Sequence, residues 1–593
     1  MTTISPLLCP YPKRSSRTEW RPLFSRVPFT ERKSPVRGAF AVSKNAPPRS
    51  RGIPQAPFQS AGERQPSTTK RWSLLLIALL ALATPAAAHV GSPNVFLEGN
   101  AGPYRLFVTV RVPQVIPGIA QIDIRSESPG IREISVAPMQ LTGPGSQYPP
   151  TPDVAQQSKD DPQFFTGSLW LMEFGSLQVR IDADGDRGKG ELAVPVPAVA
   201  QRVLPMQKPL GIALFLLMLL LALALVSIAA AAVREGNLQP GAAPAPSSRK
   251  RARIAAAVAS LAVIAVLWVG KSWWDSNASR YAGNVYRPPE IQGVMEPDGR
   301  LVLSQNTVKV AQGNPRRPTE KIDFDQIIPD HGHLMHFFLI RMPAMDSFWH
   351  LHPQQMPDGS FVEDLPTIPP GHYQMFADVV LSNGFPMTLT GQIDVPDLPN
   401  RAPSGDDSGT LANPLPSDTG NSRDTPDTSD QTTAMLAGGG RMIWERDAQP
   451  LHANVPIIFR FRVEDDQGQP LADLQPYMGM AAHAAIVKSD ASVFVHLHPS
   501  GSVSMAAFEI AQANLPPAIP AGGIQTGGIQ SSDGGMAGMP GMSGMAMPAA
   551  TAPHFGPEIS FPYGFPKPGL YRIFVQIKRA GQIQTGIFEA NVQ

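Results

Sequence analysis

Two stretches of this chain gather the side chains best suited to hold a metal ion. His331 to Pro353 reads HGHLMHFFLIRMPAMDSFWHLHP and carries His331, His333, His336, His350 and His352. Tyr477 to Pro499 reads YMGMAAHAAIVKSDASVFVHLHP and carries His483, His496 and His498, with Met478 and Met480 just ahead. Both end in His-Leu-His-Pro, and both place another histidine one hairpin upstream. Eleven of the 12 histidines follow residue 330. Imidazole nitrogen suits zinc, copper, nickel and iron, whereas thioether sulfur selects Cu(I).

The spacing makes a geometric demand. Residues i and i+2 of a strand share a face, about 7 Å apart. His350 and His352 therefore project together, as do His496 and His498. Trp349 and Leu351, or Val495 and Leu497, take the opposite face and can enter a core. Pro353 and Pro499 lack an N–H and should end their strands. A hairpin turning over Pro343–Asp346 sets His336 opposite His352, and a turn at Asp490–Ala491 sets His483 opposite His498. Directly opposed residues bring their Cβ atoms to about 4.5–5.5 Å. Each stretch is thus expected to gather three imidazoles on one sheet face, His336, His350 and His352 in the first and His483, His496 and His498 in the second. A slip of one residue would turn a side chain to the other face. His331 and His333 form a further i, i+2 pair that extends the first cluster.

Met478 and Met480 favour copper. Zinc is the alternative, because three histidines and a water are also a zinc arrangement. A cupredoxin-type centre needs a thiolate, and the sole cysteine, Cys9, lies in a segment expected to be absent from the mature protein. The competing reading makes His-Leu-His-Pro a structural strand end with every imidazole satisfied locally, in a non-catalytic envelope scaffold or protein-interaction module. Paired carboxylates, a nucleophile with its base and a phosphate loop are all missing from the sequence, so no enzymatic activity is expected. Gly534–Pro548 supplies Met536, Met539, Met542, Met545 and Met547 and reads equally as a copper scavenger or as a plain Gly/Met linker, with His554 just beyond it as a further candidate ligand. His89, at the expected mature N-terminus, has no second histidine nearby and is expected to be an ordinary residue, as are His372 and His452.

The elements that must position these residues follow from the rest of the pattern. Residues 1–69 are rich in Arg, Ser and Pro and read as disordered or as a start assigned too early. Residues 70–88 have the basic, apolar and Ala-x-Ala layout of a cleaved signal peptide. Residues 89–205 alternate short apolar runs with Gly and Pro turns, as a β-sandwich does. Leu210–Val233 has no charge over 24 residues, about 36 Å of helix and enough to cross a bilayer of about 30 Å. Residues 254–270 form a second, shorter span, with Trp268, Trp273 and Trp274 at its far end as an aromatic belt. The loop at 234–253 carries Arg234, Arg249, Lys250, Arg251 and Arg253, which places it in the cytoplasm and both flanking parts outside. Residues 281–397 and 435–593 form two further β-sandwiches, joined by a Ser-, Thr- and Asp-rich linker at 400–434. Their closing strands match, Pro370-Gly-His-Tyr-Gln-Met-Phe-Ala-Asp378 against Pro568-Gly-Leu-Tyr-Arg-Ile-Phe-Val-Gln576, so one fold is used twice. The expected class is mainly β, with three Ig-like sandwiches and two transmembrane helices. A net charge of +1 gives no reason to expect a nucleic-acid partner.

The segments Gly332–His336, Phe348–Pro353 and Pro370–Val380 resemble YtkA-like domains, Ig-like modules of exported bacterial proteins that border on CopC-like copper carriers. The first sandwich, through Ala101–Tyr104 and Gly175–Val179, is similar to the same broad group. The resemblance implies a periplasmic location and a link to copper; with the two spans and the basic loop, the chain reads as an inner-membrane protein whose domains face the periplasm, handling copper or delivering it to a periplasmic copper protein.

Overall fold

Period-two burial dominates the chain, and it produces three two-sheet β units. In the computed structural model, residues 94–239, 241–305, 326–415, 432–447, 449–515 and 555–593 are described. The expectations for residues 1–69, the signal peptide, His89, the methionine-rich run and His554 fall outside that set. The first unit packs the sheet built on Asn94–Ala101, Tyr104–Arg111, Gly118–Ser126 and Phe164–Leu171 against a sheet of Ile131–Gln140, Gly175–Gly185 and Gly188–Ala198. Leu106, Val108 and Val110 alternate inward against Val179 and Ile181, so every second residue joins one apolar layer.

The second and third units repeat one plan. In each, a long strand, Gly371–Leu381 or Gly569–Arg579, has the histidine hairpin on one side and the strand that follows it on the other. The hairpins are His336–Arg341 with Ser347–Leu351, and His483–Lys488 with Phe494–Leu497. Their registers are those the spacing demands. Phe337 faces Leu351 and Ala484 faces Leu497, so one step further His336 comes opposite His352 and His483 opposite His498. Trp349 and Leu351 enter the core of the second unit, and Val495 and Leu497 that of the third.

Lys208–Glu235 and Pro246–Gly283 form helices of 28 and 38 residues that pack on one another. Both are long and apolar enough to cross a membrane. Two expected boundaries are corrected here. Arg249, Lys250, Arg251 and Arg253 lie within the second helix, not in a loop, because Pro246 at its start pre-sets the helical φ and the Arg, Lys and Ala that follow are good helix formers. The presumed linker also contributes to the fold: Ser408–Leu411 adds a strand beside Ser347–His350. Of that linker, 416–431 lies outside the described residues.

The outer faces of the two repeated units meet. Phe338, Ile340, Phe348 and Phe376 of the second form one apolar layer with Ala485, Val487, Phe494 and Phe574 of the third. The contact is pseudo-symmetric. Phe348 and Phe494 hold equivalent places, two residues before the first histidine of His-Leu-His-Pro, and Phe376 and Phe574 hold equivalent places on the long strands. Phe348 stacks on Phe574 with centroids 4.1 Å apart, and Phe494 stacks on Phe376 at 4.2 Å. The first unit leans on the third through Glu98 N–H to Ser500 O (2.7 Å) and Ser502 N–H to Phe96 O (3.0 Å). Gly501 must be glycine there: its φ is +127°, and a Cβ would fall 2.0 Å from Phe96 O. Because all four stacked rings are fully buried, Phe574→Ala is expected to cost about 3–5 kcal/mol, read as a lowered urea midpoint of the detergent-solubilised chain.

Candidate metal centre

Facing outer surfaces turn the two expected clusters into one. The eight histidines of the two stretches form a continuous set between the second and third units. His336 lies 5.1 Å from His352 and 5.1 Å from His496, ring centre to ring centre. His350 lies 5.3 Å from His496, and His331 lies 4.6 Å from His498 and 5.1 Å from His483. His333 lies 4.0 Å from His352, its ring tilted by 31°, at the edge where Asp406 stands. His336, His350, His352, His483, His496 and His498 are all buried.

Within this set, two triads have ring nitrogens close enough to share an ion. His336, His350 and His352 form one, as the spacing predicts. The second is His331, His483 and His498, with all three nitrogens within 4.8 Å of one another. This corrects the expected composition of the second cluster. His331 leaves its own repeat to join the other, and His496 stands between the two triads. The cause is a tight turn. Asp330 and His333 exchange main-chain hydrogen bonds of 2.9 and 3.0 Å, with His331 and Gly332 both at positive φ. That is a two-residue turn of the primed kind, and it aims His331 across the interface. The third unit repeats the turn with Met478 and Gly479 at positive φ between Tyr477 and Met480. Met478 therefore holds the place of His331, and Met480 that of His333. His372 bonds Asp394 at 2.8 Å on the surface and belongs to neither triad.

Hydrogen bonds fix which nitrogen each ring can offer. The Asp330 carbonyl accepts from His336 Nε2 (3.1 Å), leaving a bare lone pair on Nδ1. Gln576 donates through Nε2 to Ser408, so its Oε1 accepts from His350 Nδ1 (2.9 Å) and leaves His350 Nε2 bare. Tyr477, whose hydroxyl donates to the Asp406 carbonyl, stands 3.3 Å from the same Nδ1 and agrees with that assignment. His336 Nδ1 and His350 Nε2 are 3.2 Å apart. Two bare lone pairs thus face each other. Two nitrogens each about 2.0 Å from a tetrahedral ion are about 3.3 Å apart. Asp407 Oδ1 accepts from His352 Nδ1 (3.0 Å), and the Val503 carbonyl accepts from His498 Nδ1 (3.1 Å). His331 is held by the main chain of Met478. The remaining nitrogens, Nε2 of His331, His352, His496 and His498 and both of His483, are buried with no hydrogen-bond partner among the described residues. One nitrogen anchored and the other bare is how metal-binding histidines are held.

The anchors Asp330, Asp407, Tyr477 and Gln576 were missed from the sequence. Asp407 sat in the presumed linker. Only the match of Gln576 to Asp378 in the closing strands was a signal. His496 Nδ1 is 3.8 Å from Asp378, which mirrors His350 with Gln576.

Burial holds His331 and His498 down at about 4 and His352 at about 3, with neighbouring imidazoles adding to the effect on His331 and His352. His336, His350, His483 and His496 are lowered further by the same causes. Burial likewise raises Asp378 to about 7.

Comparison with known proteins adds little to this geometry. The profile of a family described only as a domain of unknown function (DUF8832) matches residues 438–519, which include His483, His496 and His498. No curated protein matches the chain. Among solved structures, a tetra-tandem repeat from the extending region of a large adhesion protein is 8% identical, over 81% of this chain and 97% of that one, at a TM-score of 0.14. An ICAM-5 D1–D4 ectodomain fragment is 8% identical, over 83% and 77%, also at 0.14. Latent PorU from Porphyromonas gingivalis is 9% identical, over 80% of this chain and 32% of that one, at 0.12.

The shifted histidines give a pH dependence. Unfolded imidazole takes a proton near pH 6.5, whereas the folded rings resist until about 4 or below. The metal-free fold therefore loses stability as pH falls through 6.5, by about 1.4 kcal/mol per pH unit for each such ring. Buried carboxyls at Asp330, Glu363, Asp378, Asp407 and Glu509 have raised values and act in the opposite sense, but they are fewer than the seven rings. The melting temperature of metal-free protein should fall from pH 7.5 to pH 5; a flat profile would contradict neutral buried rings.

Proposed function

We propose that this is a membrane-anchored protein that binds copper at the buried interface of its second and third β units, for copper handling or delivery to a periplasmic copper protein. The observation that carries the reading is the meeting of His336 Nδ1 and His350 Nε2 at 3.2 Å, each with its proton-bearing nitrogen engaged elsewhere. In a buried neutral site that arrangement is repulsive until a cation lies between the lone pairs. His336 would ligate through Nδ1, and His350 and His352 through Nε2. His331 and His498 would ligate through Nε2, with His483 as their third partner.

Copper is favoured over zinc by Met478 and Met480, which the third unit places where the second has His331 and His333. Two further features support the location. The apolar helices are exposed along their length in the chain alone. The basic residues Arg249, Lys250, Arg251 and Arg253 lie at the end of the second helix remote from the β units, and by the positive-inside tendency this supports a cytoplasmic position for that end and an outside position for the centre.

Elemental analysis of the purified chain, supplied with copper and zinc equally, is expected to find about two copper ions, one for each three-histidine site. His352→Ala with His498→Ala should remove both without unfolding the protein. His331→Ala alone should remove one, because His331 belongs to the second triad. Folded protein that takes up neither metal would overturn the reading, and zinc in both sites would overturn its copper part.

A further inference from the structure

A cavity of about 180 Å³ lies where the three β units meet. The first unit contributes Val196, the second Val380 and Asp378, and the third Ala507 and His496. Its walls are mostly apolar, and its polar groups, Asp330, His336 and His498 with Asp378 and His496, are gathered where it borders the two triads. Its size exceeds that of the engineered apolar cavity of about 150 Å³ that holds benzene.

One pair on this polar side differs from its counterpart in the other unit. His496 and Asp378 are the pseudo-symmetric counterparts of His350 and Gln576. In that second pair the ring nitrogen and the amide oxygen are hydrogen-bonded at 2.9 Å. Here His496 Nδ1 and Asp378 Oδ2 stand 3.8 Å apart, beyond hydrogen-bond length. His496 is more than nine-tenths buried, and its Nε2 also lacks a partner among the described residues. A single oxygen atom can reach both Nδ1 and Oδ2 at hydrogen-bond distance. A hydroxyl suits the pair, since it donates to a carboxylate and accepts from an imidazole N–H.

We propose that this cavity binds a small uncharged organic molecule with one hydroxyl group, of about phenol size. Its apolar body lies among Val196, Val380 and Ala507, and its hydroxyl bridges His496 and Asp378. The site requires no metal and goes beyond the copper reading.

The test uses the full chain in nanodiscs, metal-free, with 4-fluorophenol as the probe and 4-fluorotoluene as comparator. Both are followed by 19F NMR against empty nanodiscs. The expected result is saturable binding of one 4-fluorophenol per chain, with 4-fluorotoluene at least tenfold weaker. Val380→Trp, which fills the cavity, should weaken 4-fluorophenol at least tenfold and leave the copper stoichiometry unchanged. Ala507→Leu fills less space and serves if the larger substitution unfolds the chain. Asp378→Asn should narrow the preference for the phenol. No saturable binding, or binding indifferent to the cavity-filling variants, would overturn the site. Equal affinity for both probes would overturn the role of the His496–Asp378 edge. Copper uptake measured on the same preparation reports separately on the metal reading.

Discussion

Everything about this centre depends on keeping uncharged imidazole dry. Histidines gathered in water would protonate and repel as pH falls toward 6.5; seven of these rings, gathered between two apolar faces, stay neutral, because the interior cannot solvate the charge. The stacked phenylalanine pairs supply that environment. They join the sheets of the second and third units and leave the rings with only fixed partners to turn to. Those partners, a carbonyl at Asp330, a carboxylate at Asp407 and an amide at Gln576, are spent on one nitrogen each of His336, His352 and His350. The result is a concentration of lone pairs that water does not reach, which is the condition under which a soft or borderline cation is bound most strongly.

The local part of this design was legible in the sequence. Period two, the two His-Leu-His-Pro endings and the hairpin lengths determine which face each ring takes and which residues stand opposite. Trp349, Leu351, Val495 and Leu497 entered the cores expected of them for the same reason. What the sequence did not disclose was the meeting of the two faces. A sandwich whose outer surface reads Phe338, Ile340, Phe348 looks overly apolar by itself, and that excess was the available sign of a covered face. Without it, His331 was placed with its own repeat. The crossing of His331 comes from two successive residues at positive φ, and a His-Gly pair does not announce that by composition. Asp407 and Ser408 were hidden for a different cause. Their surroundings are polar and poor in large side chains, and such a stretch reads as linker until a strand partner is known.

The first unit has a structural bearing on the centre even though it contributes no histidine among its described residues. It bonds the chain immediately after His-Leu-His-Pro, through Ser500, Gly501 and Ser502. The short helix Met505–Ala513 follows, with Gln512 on the Ala193 carbonyl and Asn514 on the Leu141 carbonyl. At its other end the helix receives Asp330, whose carboxylate accepts from Ala506 N–H at 2.8 Å. Asp330 also holds His336 and precedes His331. One residue of the second unit thereby ties the helix seated on the first unit to both triads.

The pseudo-twofold contact has a consequence for how such a protein can change over time. Two identical subunits meeting about a dyad must carry the same residue at both related positions. Here the two halves are covalently one chain, so a substitution in one leaves the other untouched. Asp378 against Gln576, and His331 against Met478, are differences that no homodimer of a single module could hold. Tandem duplication followed by fusion would release the halves from enforced identity, letting one pocket diverge chemically while its twin preserves the ancestral form.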